Sequence, residues 1–123
     1  MRRFPMMFLF FFASSGAVFA QEPATACMLS GPTYWLNSDS VNWGMSLASG
    51  HSCLRGLRAN VATLDEIKLV APPQNGRVTI EGPAFLYRGD PNFIGEDSFT
   101  LTVSGKINKI KGTSTIRVVV WVK

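Results

Sequence analysis

Histidine and cysteine are both scarce in this sequence of 123 residues, which contains one histidine, His51, and two cysteines. A structural zinc site takes four His, Cys or carboxylate ligands, more than remain once the cysteines pair with each other. A Ser-His-Asp triad would have to use His51, but no Gly-x-Ser-x-Gly nucleophile elbow is present. We therefore expect His51 to be an ordinary loop residue. We also expect the protein to have no catalytic residue, no metal and no cofactor.

Other signatures of chemistry are missing as well. The sequence has no Gly-rich loop of the kind that cradles phosphates and no paired-carboxylate motif. Asp90, Glu96 and Asp97 lie close together in sequence, but their spacing does not fit an EF-hand loop. We expect Asp97 to be structural and its two neighbours to be solvated, with a calcium site as the alternative. The sequence therefore predicts that the protein is not an enzyme.

Only one hydrophobic run stands out, Met6 to Ala13, and it has about half of the roughly 20 residues that a membrane-spanning helix needs. Arg2 and Arg3 precede this run, and small residues end at Ala20, which is the pattern of a secretory signal peptide. The sequence thus predicts a signal peptide over residues 1–20. We expect an exported protein, periplasmic or extracellular, with no transmembrane segment in its mature chain.

The net charge is small once the predicted signal peptide is removed. The full chain carries a formal charge of +4, and the loss of the two N-terminal arginines leaves +2 on residues 21–123, which we interpret as one domain. Lys106, Lys109 and Lys111 form a small basic run that we expect to protect a strand edge, with loose attraction to anionic envelope polymers as the alternative. Nucleic acid is not an expected partner because no binding motif is present.

The two cysteines, Cys27 and Cys53, are expected to form a disulfide, because disulfides persist in exported proteins. Such a bond closes a loop of 25 intervening residues and stabilises the fold by about 3 kcal/mol. Two alternatives are a redox-active thiol pair, which usually has closer spacing, and a lipid anchor on Cys27, which follows small residues in ATAC but would leave Cys53 unpaired.

Hydrophobic residues alternate with polar ones from about Thr33 onward, and Gly, Pro, Asn and Asp separate the alternating runs. This pattern of seven or eight short strands predicts an all-β protein: an antiparallel β-sandwich of about seven strands, with a partly open barrel as the alternative. The window Leu57 to Leu69 is expected to hold at most a short helical turn. The predicted strands are Thr33 to Leu36, Val41 to Leu47, Ser52 to Leu57, Glu66 to Ala71, Gly76 to Glu81, Ala84 to Tyr87, Asp97 to Val103 and Thr113 to Val122.

The last two predicted strands also predict which side chains face the core. Alternation places Phe99, Leu101 and Val103 on one face of the first of them. In the second strand, the predicted core face consists of Ile116, Val118, Val120 and Val122, and the opposite face carries Trp121. The segment between them, Ser104 to Thr113, has glycine near each end and is interpreted as a long hairpin connection.

The stretch from residue 72 to residue 103 is dense in turn residues. Asn75-Gly76 predicts a tight turn between the strands that end at Ala71 and begin at Arg77. Gly95 is expected to allow a sharp turn, and Asp97 to accept hydrogen bonds from loop amides. Tyr87, Phe93 and Phe99 are expected to fill the space beneath this loop. These turn residues therefore serve mainly the fold.

These residues resemble the bacterial Ig-like or cadherin-like repeats found in surface proteins. The resemblance covers roughly Leu64 to Val122 and departs from the pattern at Gly89, where the family has a proline and this chain has one at Pro91 instead. It implies an Ig-like β-sandwich that acts as a spacer or a binding module rather than as an enzyme. The matching residues are Pro73, Gly76, Val78, Tyr87, Phe93, Gly95, Asp97 and Phe99.

Aromatic residues supply the candidate binding surface. Tyr34, Trp35 and Trp43 lie close together in the N-terminal half, and Trp121 lies on the outer face of the last strand. Core packing is the ordinary role of such residues, but exposed ones anchor protein partners or stack on sugars. We expect a non-catalytic binding or interaction module with an envelope protein or glycan as partner, or with self-association. The alternative is a module that binds carbohydrate or cell-wall polymer through these aromatics.

Overall fold

The structure is a computed structural model that describes residues 27–58 and 62–123. The predicted signal peptide and the start of the predicted mature chain lie outside this part. Within the part described, no helix is long and apolar enough to cross a membrane. The described residues form eight strands: β1 (Cys27–Ser30), β2 (Ser40–Leu47), β3 (Ser52–Gly56), β4 (Ala62–Ala71), β5 (Gly76–Glu81), β6 (Ala84–Gly89), β7 (Gly95–Ile107) and β8 (Ile110–Val122).

The strands form two sheets, which confirms the all-β prediction. A large sheet has the order β1-β2-β8-β7-β4, and a small sheet has the order β3-β6-β5. There are eight strands rather than about seven. Pairing is antiparallel except between β2 and β8, which run parallel with Ser40 beside Thr115 and Leu47 beside Val122. Parallel pairing needs a long connection between the two strands, and β3 to β7 all lie between β2 and β8 in sequence.

The core lies between the two sheets and follows the predicted alternation. All seven predicted core residues of β7 and β8 are at most 4% exposed. From the small sheet, Phe85 and Tyr87 meet them. The Phe99 ring lies edge-on to Phe85, with centroids 5.3 Å apart, and stacks on Tyr87 at 5.8 Å. Aromatic pairs at these separations add to the stabilisation that burial provides.

The N-terminal strand predictions need correction. Thr33 to Leu36 is a loop rather than a strand, and Leu36 has a positive φ of 54° that no strand accommodates. Strand β1 was not predicted, because four residues are too few to show a period. From Ala62 onward the window Leu57 to Leu69 belongs to β4, which begins before the predicted strand start at Glu66. Two β-bulges in β4 break its alternation and obscure the strand signal.

The predicted long connection between β7 and β8 is wrong. Both strands continue to a two-residue turn at Asn108 and Lys109, whose φ values are 52° and 67°. Two successive positive φ values are typical of a type I′ hairpin turn. Gly105 and Gly112, which suggested a loop, are paired within the ladder. They are small because the backbone carbonyls of Thr63 and Leu36 occupy the space that a Cβ would need.

The Asn75-Gly76 turn also differs from its prediction. β4 and β5 belong to different sheets, so residues 72–75 cross between the sheets instead of closing a hairpin. Gly76 is the first residue of β5. A Cβ there would lie 2.8 Å from both the Tyr87 hydroxyl oxygen and the Arg88 carbonyl oxygen. Glycine is therefore required by a close approach to Tyr87 rather than by a turn.

Asp97 fastens this crossing segment to the core. The carboxylate, 6% exposed, accepts hydrogen bonds from the Gln74 and Asn75 amides, both at 3.0 Å, as expected of a residue that caps a loop. It also accepts the Tyr87 hydroxyl at 3.0 Å and the Ser98 amide at 2.9 Å. One buried anion thus joins β7, β6 and the segment before β5, with all its bonds made to donors.

The disulfide ties the opposite side of the sandwich. Cys27 on β1 and Cys53 on β3 are bonded, with Cα atoms 5.5 Å apart, within the usual range for such a bridge. β1 and β3 are edge strands of the large and the small sheet. The bond therefore links the sheets at one edge, while Asp97 links them nearer the other.

Substitution of Asp97 should destabilise the protein more than loss of one of its donors. We expect Asp97→Ala to lower the free energy of unfolding by about 3 kcal/mol, because buried amides and a hydroxyl lose their acceptor, and Tyr87→Phe to lower it by about 1 kcal/mol. Urea unfolding at neutral pH measures both. Equal values for the two variants would contradict a central role for the carboxylate.

Removal of the disulfide should lower the free energy of unfolding by about 3 kcal/mol, since the bond closes a loop with a sequence separation of 26 residues. The measurement is urea unfolding of the Cys27→Ala/Cys53→Ala double variant beside the oxidised protein. The single variant Cys53→Ala should unfold at the same urea concentration as the double variant. Unchanged stability in the double variant would show that the cross-link does not stabilise the fold by restricting the unfolded chain.

Candidate binding cleft

A cleft opens between the two edge strands below the disulfide. Its volume is about 550 Å³, and one wall comes from β1 and the loop after it while the other comes from the end of β3. Two residues beyond the bridged cysteines, Leu29 and Arg55 lie on these opposite walls. The lining residues are Leu29, Ser30, Gly31, Pro32, Thr33, Tyr34, Trp35, Trp43, Arg55, Gly56, Leu57, Arg58 and Ile107.

The cleft wall formed by β3 inverts the usual strand pattern. Arg55 is paired with fully buried Phe85, so its side chain starts from the face of the small sheet that is turned toward the large sheet. Leu54, on the face turned to solvent, is 63% exposed. A cation on the inward face and a leucine on the outward face are the reverse of what a core requires. Arg55 therefore faces the cleft and not the core.

The loop between β1 and β2 is held in place by polar contacts to both sheets. The Tyr34 hydroxyl donates to the Leu57 carbonyl beyond the end of β3. The Leu36 amide donates to the Ser114 hydroxyl at 2.8 Å, and the Ser38 amide donates to the Thr113 carbonyl at 2.8 Å. These bonds fix the backbone on either side of Trp35.

Asp39 organises the same loop. Its carboxylate accepts the Trp35 amide at 2.8 Å and the Asn37 amide at 3.3 Å, and the Ser114 hydroxyl also donates to it. Partial burial of Asp39 works to raise its pKa, but these hydrogen bonds outweigh burial and leave the pKa below its ordinary value. Asp39 is therefore ionised at neutral pH and holds the turn that carries Trp35.

The two tryptophans of the cleft have different roles. Trp43 is half-buried, and its indole nitrogen donates to the Pro32 carbonyl at 2.7 Å, so this ring mainly supports the loop. Gly31 lies directly against the Trp43 ring, where no side chain would fit. Trp35 is 59% exposed at the mouth of the cleft. Of these two rings, Trp35 is the one that a ligand could cover.

The four aromatic residues of the predicted binding surface do not form one surface. Tyr34, Trp35 and Trp43 line the cleft together, but Tyr34 is only 3% exposed at its back. Burial raises the pKa of the Tyr34 hydroxyl, which keeps it a hydrogen-bond donor. Trp121 lies on the outer face of the large sheet, 46% exposed, with its ring over Gly44. Trp121 therefore belongs to a separate surface.

Arg55 and Arg58 line the cleft but were not singled out from the sequence. Arg55 carried one signal that could have identified it, the Leu54-Arg55 inversion within a strand whose Cys53 faces the core. That signal is readable only when the direction of Cys53 is known. Arg58 follows buried Leu57 outside any strand, and nothing in its local sequence sets it apart.

The acidic trio and His51 do not form a metal site among the described residues, where no group of three potential ligands is close enough. Both Asp97 oxygens accept hydrogen bonds, while Asp90 and Glu96 are exposed. The Asp97 carboxylate and burial together raise the pKa of Tyr87, burial having the larger effect, so Tyr87 stays protonated. His51 is half-buried in the turn before β3, and its Nδ1 has no hydrogen-bond partner in the described part.

No protein-family model matches the chain, and no curated protein matches it significantly.

Asp39 should make the stability depend on acid pH. Its pKa in the folded protein lies below the unfolded value, so its contribution is present above the ordinary carboxyl pKa and is lost as pH falls through the lowered value. We expect Asp39→Asn to lower the free energy of unfolding by about 1 kcal/mol at neutral pH and by less near pH 3. Urea unfolding at both pH values tests this.

A matched control is Asp65→Asn, which breaks an exposed ion pair with Lys106 at 3.5 Å. Such pairs contribute little, so this variant should change the stability by less than about 0.5 kcal/mol at either pH. If Asp39→Asn showed the same deficit at acid and neutral pH, the carboxylate charge would not be what holds the loop.

Proposed function

We propose that this protein is an exported, non-catalytic binding module of the bacterial envelope or extracellular space, built on an Ig-like β-sandwich. The observation that carries the proposal is the cleft itself: a concave site with one exposed tryptophan and two arginines. Sites that bind ligands are typically concave, mostly apolar and furnished with a few polar groups. The partner is an envelope protein or glycan.

The family resemblance is supported by where its residues lie. Tyr87, Asp97 and Phe99 form one buried cluster in which the carboxylate caps the segment before Gly76. Val78 is buried on β5, Pro73 and Phe93 are half-buried, and Gly95 has a positive φ of 141°. Two facing sheets tied by a disulfide also suit an Ig-like domain, although this disulfide joins edge strands and not central ones.

The fixed backbone of the β1–β2 loop favours binding. The Trp35 backbone is fixed on both sides, so a ligand would not have to order this loop, and the entropic cost of association is reduced. Exposed tryptophan and arginine are the residues that most often dominate binding energies. The cleft thus supplies an anchor and orientation, as a binding module requires.

The alternative is a carbohydrate or cell-wall-polymer module that uses its exposed aromatics. Two observations favour it: Trp35 at the cleft, and Trp121 on the broad outer face of the large sheet, where its cross-strand neighbours are Ser46 and Glu96. Flat indole rings beside polar side chains suit sugar stacking. The same outer face would serve for self-association, since Trp121 and Met28 both expose apolar surface there.

Photo-crosslinking in the native cell tests the cleft. A photoreactive residue replaces exposed Asn37 beside Trp35, and as a control it replaces exposed Thr79 on the outer face of the small sheet. We expect a discrete adduct only from position 37, and Trp35→Ala should reduce its yield by about tenfold or more, because a central anchor is lost.

Trp121→Ala provides the matched variant. It should leave the adduct at position 37 unchanged, and any fall in sedimentation-measured self-association would assign self-contact to the outer face. If the adduct at position 37 forms in full in Trp35→Ala, the cleft is not the binding site. If Trp121→Ala rather than Trp35→Ala abolishes the adduct, the binding site lies on the large sheet.

A further inference from the structure

We infer that the cleft binds an anionic glycan, with a carboxylate or phosphate group held by Arg55 and Arg58 and a sugar ring stacked on Trp35. This inference rests on the proposed binding function and adds the chemical class of the ligand. It follows from the charge of the lining, the unmatched arginines, and the shape of the exposed indole.

The charge of the cleft has one sign. Two arginines belong to its lining, and none of its lining residues is aspartate or glutamate. Asp39 is not part of the lining, and its carboxylate already accepts hydrogen bonds from the Trp35 amide and the Ser114 hydroxyl. A concave surface with low-dielectric walls concentrates the field of such charges. An anion would therefore be attracted into the cleft.

The two arginines have no internal use within residues 27–58 and 62–123. The ion pairs of this part of the chain join Lys68 to Glu66 and Lys106 to Asp65, and neither involves an arginine. Arg55 is exposed on the inward-facing side of its strand, where it lines the cleft. Because the fold gains nothing evident from a cation there, its guanidinium is available to a ligand. Planar guanidinium groups bind carboxylates and phosphates with two parallel hydrogen bonds.

The neighbouring hairpin extends the positive charge beyond the cleft. Ile107 belongs to the lining, and the turn that follows carries Lys109, with Lys111 on the next strand. Lys109 and Lys111 are exposed, while Lys106 is paired with Asp65. A ligand with repeated charges would meet the cleft arginines first and these lysines beyond them. A polymer therefore fits this end of the molecule better than a single small anion.

Trp35 favours sugar over other anionic ligands. Its indole is 59% exposed on a fixed backbone, and the hydroxyl-bearing Ser30 and Thr33 line the same cleft. A pyranose ring has an apolar C–H face suited to an indole and hydroxyl groups suited to the polar rim. A peptide of acidic residues alone would satisfy the arginines but offers no flat ring for Trp35. An anionic glycan uses both features.

Calorimetric titration of the oxidised, exported protein tests the inference. The probes are hexagalacturonate, its fully methyl-esterified form, a phosphorylated mannose oligosaccharide and hexaglutamate. We expect binding to at least one of the two anionic sugars, and about tenfold or more weaker binding of the neutral ester, because charge-assisted bonds are lost. Affinity should fall steeply with salt between about 50 and about 500 mM NaCl, since screening shortens the reach of these charges.

Variants locate the effect. Arg55→Gln and Arg58→Gln should each weaken binding of the anionic sugar about fivefold or more, whereas Arg88→Gln, an exposed arginine on the outer face of the small sheet, should leave it unchanged. Arg55→Lys should restore part of the affinity, because charge is kept while the fork is lost. Circular dichroism and unfolding midpoints equal to those of the unmodified protein would show that the variants fold.

Different failures have different meanings. Equal affinity for the charged sugar and its neutral ester would overturn the anionic selectivity but keep a carbohydrate site. Tighter binding of hexaglutamate than of either sugar would overturn the glycan and indicate an acidic peptide. Absence of binding to both anionic sugars at millimolar concentration would overturn the inference, while a Trp35-dependent adduct in the crosslinking experiment would still support the binding module itself.

Discussion

The buried carboxylate of Asp97 is the interaction on which the arrangement of the two sheets depends most. It stands on β7, an interior strand of the large sheet, and accepts donors from β6 of the small sheet and from the segment that crosses into β5. A buried anion without these donors would be strongly unfavourable, so the donors and the carboxylate specify one another. The crossing from one sheet to the other is fixed here, and the Tyr87 ring that takes part also stacks on Phe99 in the core.

The position of this tie and that of the disulfide together explain where the sandwich is open. Asp97 and the Cys27–Cys53 bond lie near opposite edges of the sheets. Along the strands, however, both lie toward the same end, at which β2 finishes and β7 begins. At the other end the β1–β2 loop reaches across to the small sheet, where the Tyr34 hydroxyl contacts the Leu57 carbonyl. That loop bridges the gap without filling it. The cleft thus lies at the end of the sandwich away from Asp97 and the disulfide.

Features that depend on local alternation in long strands could be predicted from the sequence, and features that depend on distant pairing could not. Phe99 and Val118 lie in strands long enough for period two to identify their buried face. The parallel pairing of β2 with β8 leaves no local trace, because nothing in either strand specifies its neighbour. The sequence predicts Gly105 and Gly112 to be loop residues, because a glycine needed for close backbone approach cannot be distinguished in a sequence from one needed for a turn.

The same limit applies to the cleft and bears on its interpretation. Aromatic residues are conspicuous in a sequence, so Trp35 could be predicted as a contact residue, whereas Arg55 is one of several scattered cations. Its meaning emerges only when Cys53 is placed inward by the disulfide and Phe85 is seen across the ladder. Strand alternation alone would favour an apolar residue at position 55 and a polar one at position 54. The reverse order, at a cleft that also carries an exposed indole, agrees better with the proposed binding role of the cleft than with the needs of the fold.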